Sequence, residues 1–296
     1  MNNFRSQTGF TLIEIIIVIV ITGIIGSMVS VFLAKPVQQY MDVSRRAMLT
    51  DIADTALQRL TRDIRSAVPN SVRVANAAGL NTYLEYLPTR DGGRYRAVQN
   101  CTASCTGNTL TFGVADGVFD IIGQSINFVA GDYIVVGSTQ SDGNLPYDTS
   151  ASGVLRAYTG AAGAQTTVNM TNTSLPTSAE LSSQRFDVVD GAQQAVSYAC
   201  ITLGTNSSGD GTGKLMRYWK YGFYTAQQVP PITAQAVVPG NLTAVQSAML
   251  ADKLSACSIE YNISNQRYGL VSFSLTLTSN NESVSIYHEI HVNNSP

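Results

Sequence analysis

One uninterrupted apolar run constrains this chain before any other feature. Residues 10–34 read FTLIEIIIVIVITGIIGSMVSVFLA, 25 residues with a single charge, Glu14. At about 1.5 Å of rise per residue, a helix of that length spans the ~30 Å hydrocarbon layer of a bilayer. A cleaved secretory signal is disfavoured, because its apolar core takes only about 7–15 residues. A plain membrane anchor explains the apolar residues but not Glu14. A carboxylate in lipid costs several kcal/mol, and no Lys, Arg or His in the run neutralises it. Its partner is therefore expected from another chain or from a newly made chain terminus. The flanking cations do not fix the orientation. Arg5 stands alone before the span, whereas Lys35, Arg45 and Arg46 follow it.

A second helical stretch follows Pro36 and runs to about Ala67, just before Pro69. Met41, Met48, Leu49, Ile52, Ala53, Ala56, Leu57, Leu60 and Ile64 recur at spacings of three, four and seven, a wide apolar stripe that must be buried on something. Asp42–Arg46 and Arg59–Asp63 are spaced for ion pairs one turn apart, and Arg62 and Arg65 suit the negative end of the helix dipole. Joined, the two stretches would make one helix of about 55 residues and about 80 Å. Pro36 is expected to kink or locally melt it.

From Asn70 the period changes to alternation. Segments 71–74, 83–87, 109–112, 133–136, 185–189 and 196–201 read as short strands, and 214–222 as an aromatic strand. Val271, Phe273, Leu275 and Leu277, then Val284, Ile286, His288, Ile290 and Val292, alternate with polar residues, as in half-buried antiparallel strands. Asp91-Gly92-Gly93, Asp142-Gly143-Asn144 and Gly209-Asp210-Gly211 read as turns. Leu242–Leu254 reads as a short helix, and 149–178 as loop or weak strand. The expected class is α+β: one long helix, then an antiparallel sheet domain.

Four cysteines allow three pairings. Cys101–Cys105 with Cys200–Cys257 is favoured, because the short pair closes a loop too tight to reach far. Such bonds imply an oxidising compartment and an exported domain. Free thiols at Cys200 and Cys257 stay open as an alternative. A zinc site is weakly signalled, since C-x₃-C has no second paired motif.

Little else in the sequence carries chemistry. The formal charge is −2, from 18 basic and 20 acidic side chains, which argues against a large electrostatic grip on nucleic acid. His288 and His291 lie three apart, on opposite faces of a strand, and His288 falls on the apolar side as a core residue. Residues 208–215, SGDGTGKL, fail the phosphate-loop pattern. Asn206, Ser208 and Asp210 echo the start of a calcium loop that no acid completes. Arg94, Arg96, Arg217 and Lys220 interleave with Tyr95, Tyr218, Trp219 and Tyr221. That pattern suits a DNA- or glycan-binding face, but a solvated strand face is the favoured reading. No catalytic residue, metal ligand or cofactor is expected, and no enzymatic activity.

Gly9-Phe10-Thr11-Leu12-Ile13-Glu14 at the edge of the apolar run resembles the cleavage motif of type IV prepilins and type II secretion pseudopilins. The resemblance implies that a prepilin peptidase cuts after Gly9 and that Phe10 becomes N-methylated. It implies that Glu14 pairs with the Phe10 amine of a neighbouring subunit, each offsetting the other's desolvation. Further on, Ser44-Arg-Arg-Ala, residues 59–74, residues 250–257 and the ending Tyr287–Val292 resemble the MshO-type minor pilins of mannose-sensitive haemagglutinin (MSHA) pili, which are type IVa pili. Removing nine of 296 residues leaves 287, large for a bulk shaft subunit and suited to a tip or assembly-priming role. The implied organisation is a leader at 1–9, a membrane and filament-core helix at 10–34, an amphipathic helix at 35–68 and a β-rich domain at 69–296. The implied partners are major and minor pilins, the prepilin peptidase, an inner-membrane assembly platform and, before assembly, lipid. The implied location is the inner membrane, single-pass with a periplasmic C-terminal domain, and then the extracellular pilus. A J-like pseudopilin of type II secretion, or a tip adhesin for glycan or DNA, is the alternative.

Overall fold

The computed structural model describes residues 9–77, 81–101, 105–139, 145–229, 232, 245–263 and 268–295. The chain divides into two units between Met48 and Leu49. The class is the expected α+β, a long helix followed by antiparallel sheet. Helix α1 runs Leu12–Arg65 with Pro36 inside it. The melting expected at Pro36 is not found. Proline removes one donor from the ladder, and the turns on either side hold the helix through it.

In the first unit the apolar side chains of α1 are exposed, from Leu12 (77%) through Ile16 (48%) to Phe32 (82%). Asp42 pairs with Arg45 one turn on, at 3.3 Å. Met41 and Met48, assigned to the buried stripe, are exposed here.

In the second unit the stripe is buried. Leu49, Ala53, Ala56, Leu57, Leu60 and Ile64 pack with Leu84, Tyr198, Leu215, Phe273, Leu275 and Ile290 in one apolar cluster. The sheet residues come from seven strands in the order β1 (Arg73–Ala77), β2 (Asn81–Tyr86), β13 (Val196–Ile201), β14 (Gly213–Trp219), β15 (Gln246–Ile263), β16 (Tyr268–Ser279), β17 (Glu282–Asn293). A second sheet of six strands follows the order β11 (Thr167–Ser174), β6 (Ala115–Ile122), β3 (Thr89–Tyr95), β12 (Arg185–Val189), β8 (Tyr133–Val136), β9 (Leu155–Ala157). Two short ribbons pair β7 (Ile126–Phe128) with β10 (Gly163–Gln165), and β4 (Asn100–Cys101) with β5 (Cys105–Thr106). All these pairings are antiparallel.

The strands β2 and β13 are hydrogen-bonded neighbours, yet the chain between them builds the whole second sheet. That excursion carries its own apolar core, including Tyr95, Phe119, Phe128, Val168 and Phe186. A third cluster joins residues from both parts, among them Leu87, Tyr133, Tyr147, Val189, Tyr221 and Phe223. β16 and β17 stay in register from Tyr268↔Asn293 to Ser279↔Glu282. Asn280 (φ 51°) and Asn281 (φ 64°) close this hairpin in the left-handed region, which a two-residue type I′ turn requires.

Several local expectations are corrected. Residues 246–254 lie in β15 and not in a helix, while 242–244 fall outside the described residues. Pairing with β14 and β16 overrides the helical spacing of Ala248, Ala251 and Leu254. Asp91-Gly92-Gly93 is not a turn but the middle of β3. A Cβ on Gly93 would meet the Phe186 ring at 3.1 Å, so glycine here admits a close strand approach. Residues 109–112 form no strand, though Leu110 is buried; the strand is β6, just beyond. The turn expected at 142–144 lies outside the described residues.

Candidate functional site

The start of α1 explains itself from four residues. Thr11 precedes the helix and caps it. Its backbone N–H and its hydroxyl both donate to Glu14 Oε2 at 2.9 Å, and Glu14 N–H donates back to Thr11 Oγ1 at 3.4 Å. This is the reciprocal T-x-x-E capping box, in which threonine and glutamate each satisfy an N–H the helix leaves open. The carboxylate also sits at the positive end of the helix dipole. Glu14 was therefore not without a partner in its own chain, as its isolation in the apolar run implied. The T-x-x-E spacing was the signal that could have shown this. Among the described residues Oε1 has no partner, so one carboxylate oxygen stays available to an incoming donor.

Gly9 and Phe10 lie before the helix, and both are exposed, Phe10 at 86%. Among the described residues nothing lies within 4 Å of a Cβ built on Gly9. Behind Glu14, two polar side chains of the run are satisfied on the helix itself. Thr22 donates to Val18 O at 2.6 Å and Ser27 to Ile24 O at 2.8 Å. Leu12–Arg65 is long and apolar enough to cross a membrane near its N-terminus.

Residues 4–30 match the prokaryotic N-terminal methylation motif. This is the type IV pilin-like prepilin signal, and it supports a pilin-like or pseudopilin precursor. It implies processing by a prepilin peptidase and assembly with other pilins. The apolar helix and the motif are consistent with membrane anchoring and incorporation into a pilus. No curated protein and no solved structure matches the chain.

Cys200 of β13 is bonded to Cys257 of β15, strands that are not hydrogen-bonded neighbours. Cys105 is disulfide-bonded and stands directly opposite Cys101 in the β4–β5 ribbon; the Cys101 side chain lies outside the described residues. His288 is half-buried beside α1. Thr61 spends its hydroxyl proton on Leu57 O at 2.7 Å, so its oxygen accepts from His288 Nε2 at 3.0 Å. His291 is exposed on the other face. The calcium-like loop is occupied by its own chain. Asn206 Oδ1 accepts from the Ser208 and Asp210 N–H groups, and Asp210 Oδ1 accepts from Ser279 Oγ and Asn280 N–H, both at 2.9 Å.

The basic and aromatic residues expected on a solvated strand face are partly interior. Arg217 is 5% exposed, and Tyr95 and Tyr221 are 1% exposed. Asp63 of α1 receives the Tyr198 hydroxyl at 2.6 Å, the Tyr86 hydroxyl at 3.1 Å and Arg217 Nε at 3.2 Å, while Arg217 Nη2 donates to Gln193 Oε1. Burial, with the Asp63 charge behind it, pushes the Tyr198 hydroxyl well above the ordinary tyrosine value. Glu85 is fully buried and held by Arg73 at 2.6 Å and by the Tyr221 hydroxyl at 2.7 Å. Burial raises its carboxyl above the usual range, and Arg73 opposes that rise. Arg73 also donates to Tyr224 O and Thr225 O, fastening that segment to β1. Partners 12 to 154 residues apart left no local pattern in the sequence.

Proposed function

We propose that this chain is a minor pilin, a tip or assembly-priming subunit of a type IVa pilus of the MSHA kind, and not an enzyme. The exposed apolar helix that opens on Gly9-Phe10-Thr11-Leu12-Ile13-Glu14, inside the matched methylation motif, carries the reading. A prepilin peptidase cuts after Gly9 and the Phe10 amine is methylated. In the filament, lipid around α1 is replaced by the helices of other subunits. The Phe10 amine of one subunit then meets Glu14 Oε1 of the next. An amine and a carboxylate leave water cheaply only together, so the pair sets subunit register more than it adds stability. The resemblance at residues 59–74 and 250–257 and the size of the chain support the minor-pilin role. The J-like pseudopilin shares the same mechanics.

The test is a null strain complemented with the tagged chain. Loss of surface pili, with the chain recovered in small amounts in sheared filaments, supports the minor pilin. Intact piliation with failed protein secretion would replace it with the pseudopilin.

A further inference from the structure

The second sheet carries a cleft of about 440 Å³ lined by Gly92, Gly93, Arg94, Ser183 and Arg185. Arg94 of β3 and Arg185 of β12 stand directly opposite each other in the ladder. Like charges in that position repel across a cross-strand pair. Both side chains are exposed, and neither has an ion-pair partner among the described residues. Arg96, two residues further on, shows the usual solution, a carboxylate partner, Asp120 at 3.5 Å. Ser183 supplies an independent sign. Its hydroxyl oxygen is buried at the cleft with no hydrogen-bond partner among the described residues. The turn that presents it is fixed: Gln184 holds a left-handed φ of 52°, and its carbonyl accepts from Tyr95 N–H at 2.8 Å. Two unpaired guanidiniums and an unspent hydroxyl on a glycine-floored cleft are the donor set for an oxyanion.

We infer that Arg94, Arg185 and Ser183 bind one phosphate or sulfate group, free or carried on a larger molecule. Asp187 is on the same face, opposite Gly92, and makes no ion pair with either arginine. It sets a ceiling on affinity, because its negative charge opposes the incoming anion. This site does not depend on the pilin reading.

The experiment titrates the full-length chain, in micelles of an uncharged detergent, with inorganic phosphate, inorganic sulfate and glucose 6-phosphate by calorimetry. Saturable binding in the millimolar range is expected. Arg94→Gln and Arg185→Gln should each weaken it by about tenfold, the worth of one charge-assisted contact. Ser183→Ala should weaken it less, and Asp187→Asn should tighten it. Binding of the sugar phosphate alone identifies a carried group as the source; equal binding of the free ions identifies the oxyanion itself. The arginine and serine variants are checked for an unchanged unfolding midpoint, and if Arg185→Gln fails to fold, Arg94→Gln carries the test. No saturable heat with any of the three anions, or binding as tight in both arginine variants as in the unaltered chain, overturns the site.

Discussion

Replacing Asp63 with alanine should destabilise the second unit by about 3–5 kcal/mol, the cost of stripping one partner from a buried charge pair. The side chain of Asp63 is 16% exposed and that of Arg217 is 7% exposed. After the substitution Arg217 loses its carboxylate partner and keeps Gln193, and the Tyr198 hydroxyl loses a 2.6 Å acceptor. The assay is reversible urea unfolding of the full chain in uncharged detergent, followed by tyrosine and tryptophan fluorescence. A second variant separates charge from packing. Asp63→Ala with Arg217→Met removes both ions and should recover roughly half or more of the loss, since an apolar pair of similar volume is often neutral. The reasoning fails if Asp63→Ala costs under about 1 kcal/mol, the range of an exposed pair. It fails equally if the double variant is as unstable as the single one.

Three further outcomes follow from the same structure. Glu14→Val should leave cleavage intact and abolish recovery in sheared filaments, read by blotting membrane and filament fractions; normal incorporation would remove the neighbour-pairing role. Cys200→Ser with Cys257→Ser opens a loop of sequence separation 57 and should cost about 4 kcal/mol, measured by the same urea unfolding. Burial raises the Asp187 carboxyl from 3.8 to about 6, only partly opposed by Arg185. The native state therefore binds the extra proton between these values, and stability contributed by the protonated form is lost as pH rises through about 6. Asp187→Asn should stabilise the chain by roughly 1–3 kcal/mol at pH 7 and by nothing near pH 3; an equal effect at both would refute this.

What the sequence disclosed depended on how local each signal was. The apolar run, the end of α1 near Arg65 and the alternation in β16 and β17 are written in periods of a few residues. Residues 246–254 misled because their spacing suits a helix as well, and only the neighbours β14 and β16 decide for strand. Gly92 and Gly93 look like a turn until Phe186 arrives from a strand more than ninety residues away. The same distance hid the second sheet, which is inserted between two strands that pair with each other. At the N-terminal segment the sequence identified Gly9, Phe10 and Glu14. It missed that Thr11 engages one oxygen of that carboxylate, although the T-x-x-E spacing was there to read.

The most direct measurement is the intact mass and N-terminal sequence of the chain extracted from cell membranes and from filaments. The account predicts a chain that begins at Phe10 and carries one methyl group on its amine. A chain that still begins at Met1, and is absent from filaments, would contradict it.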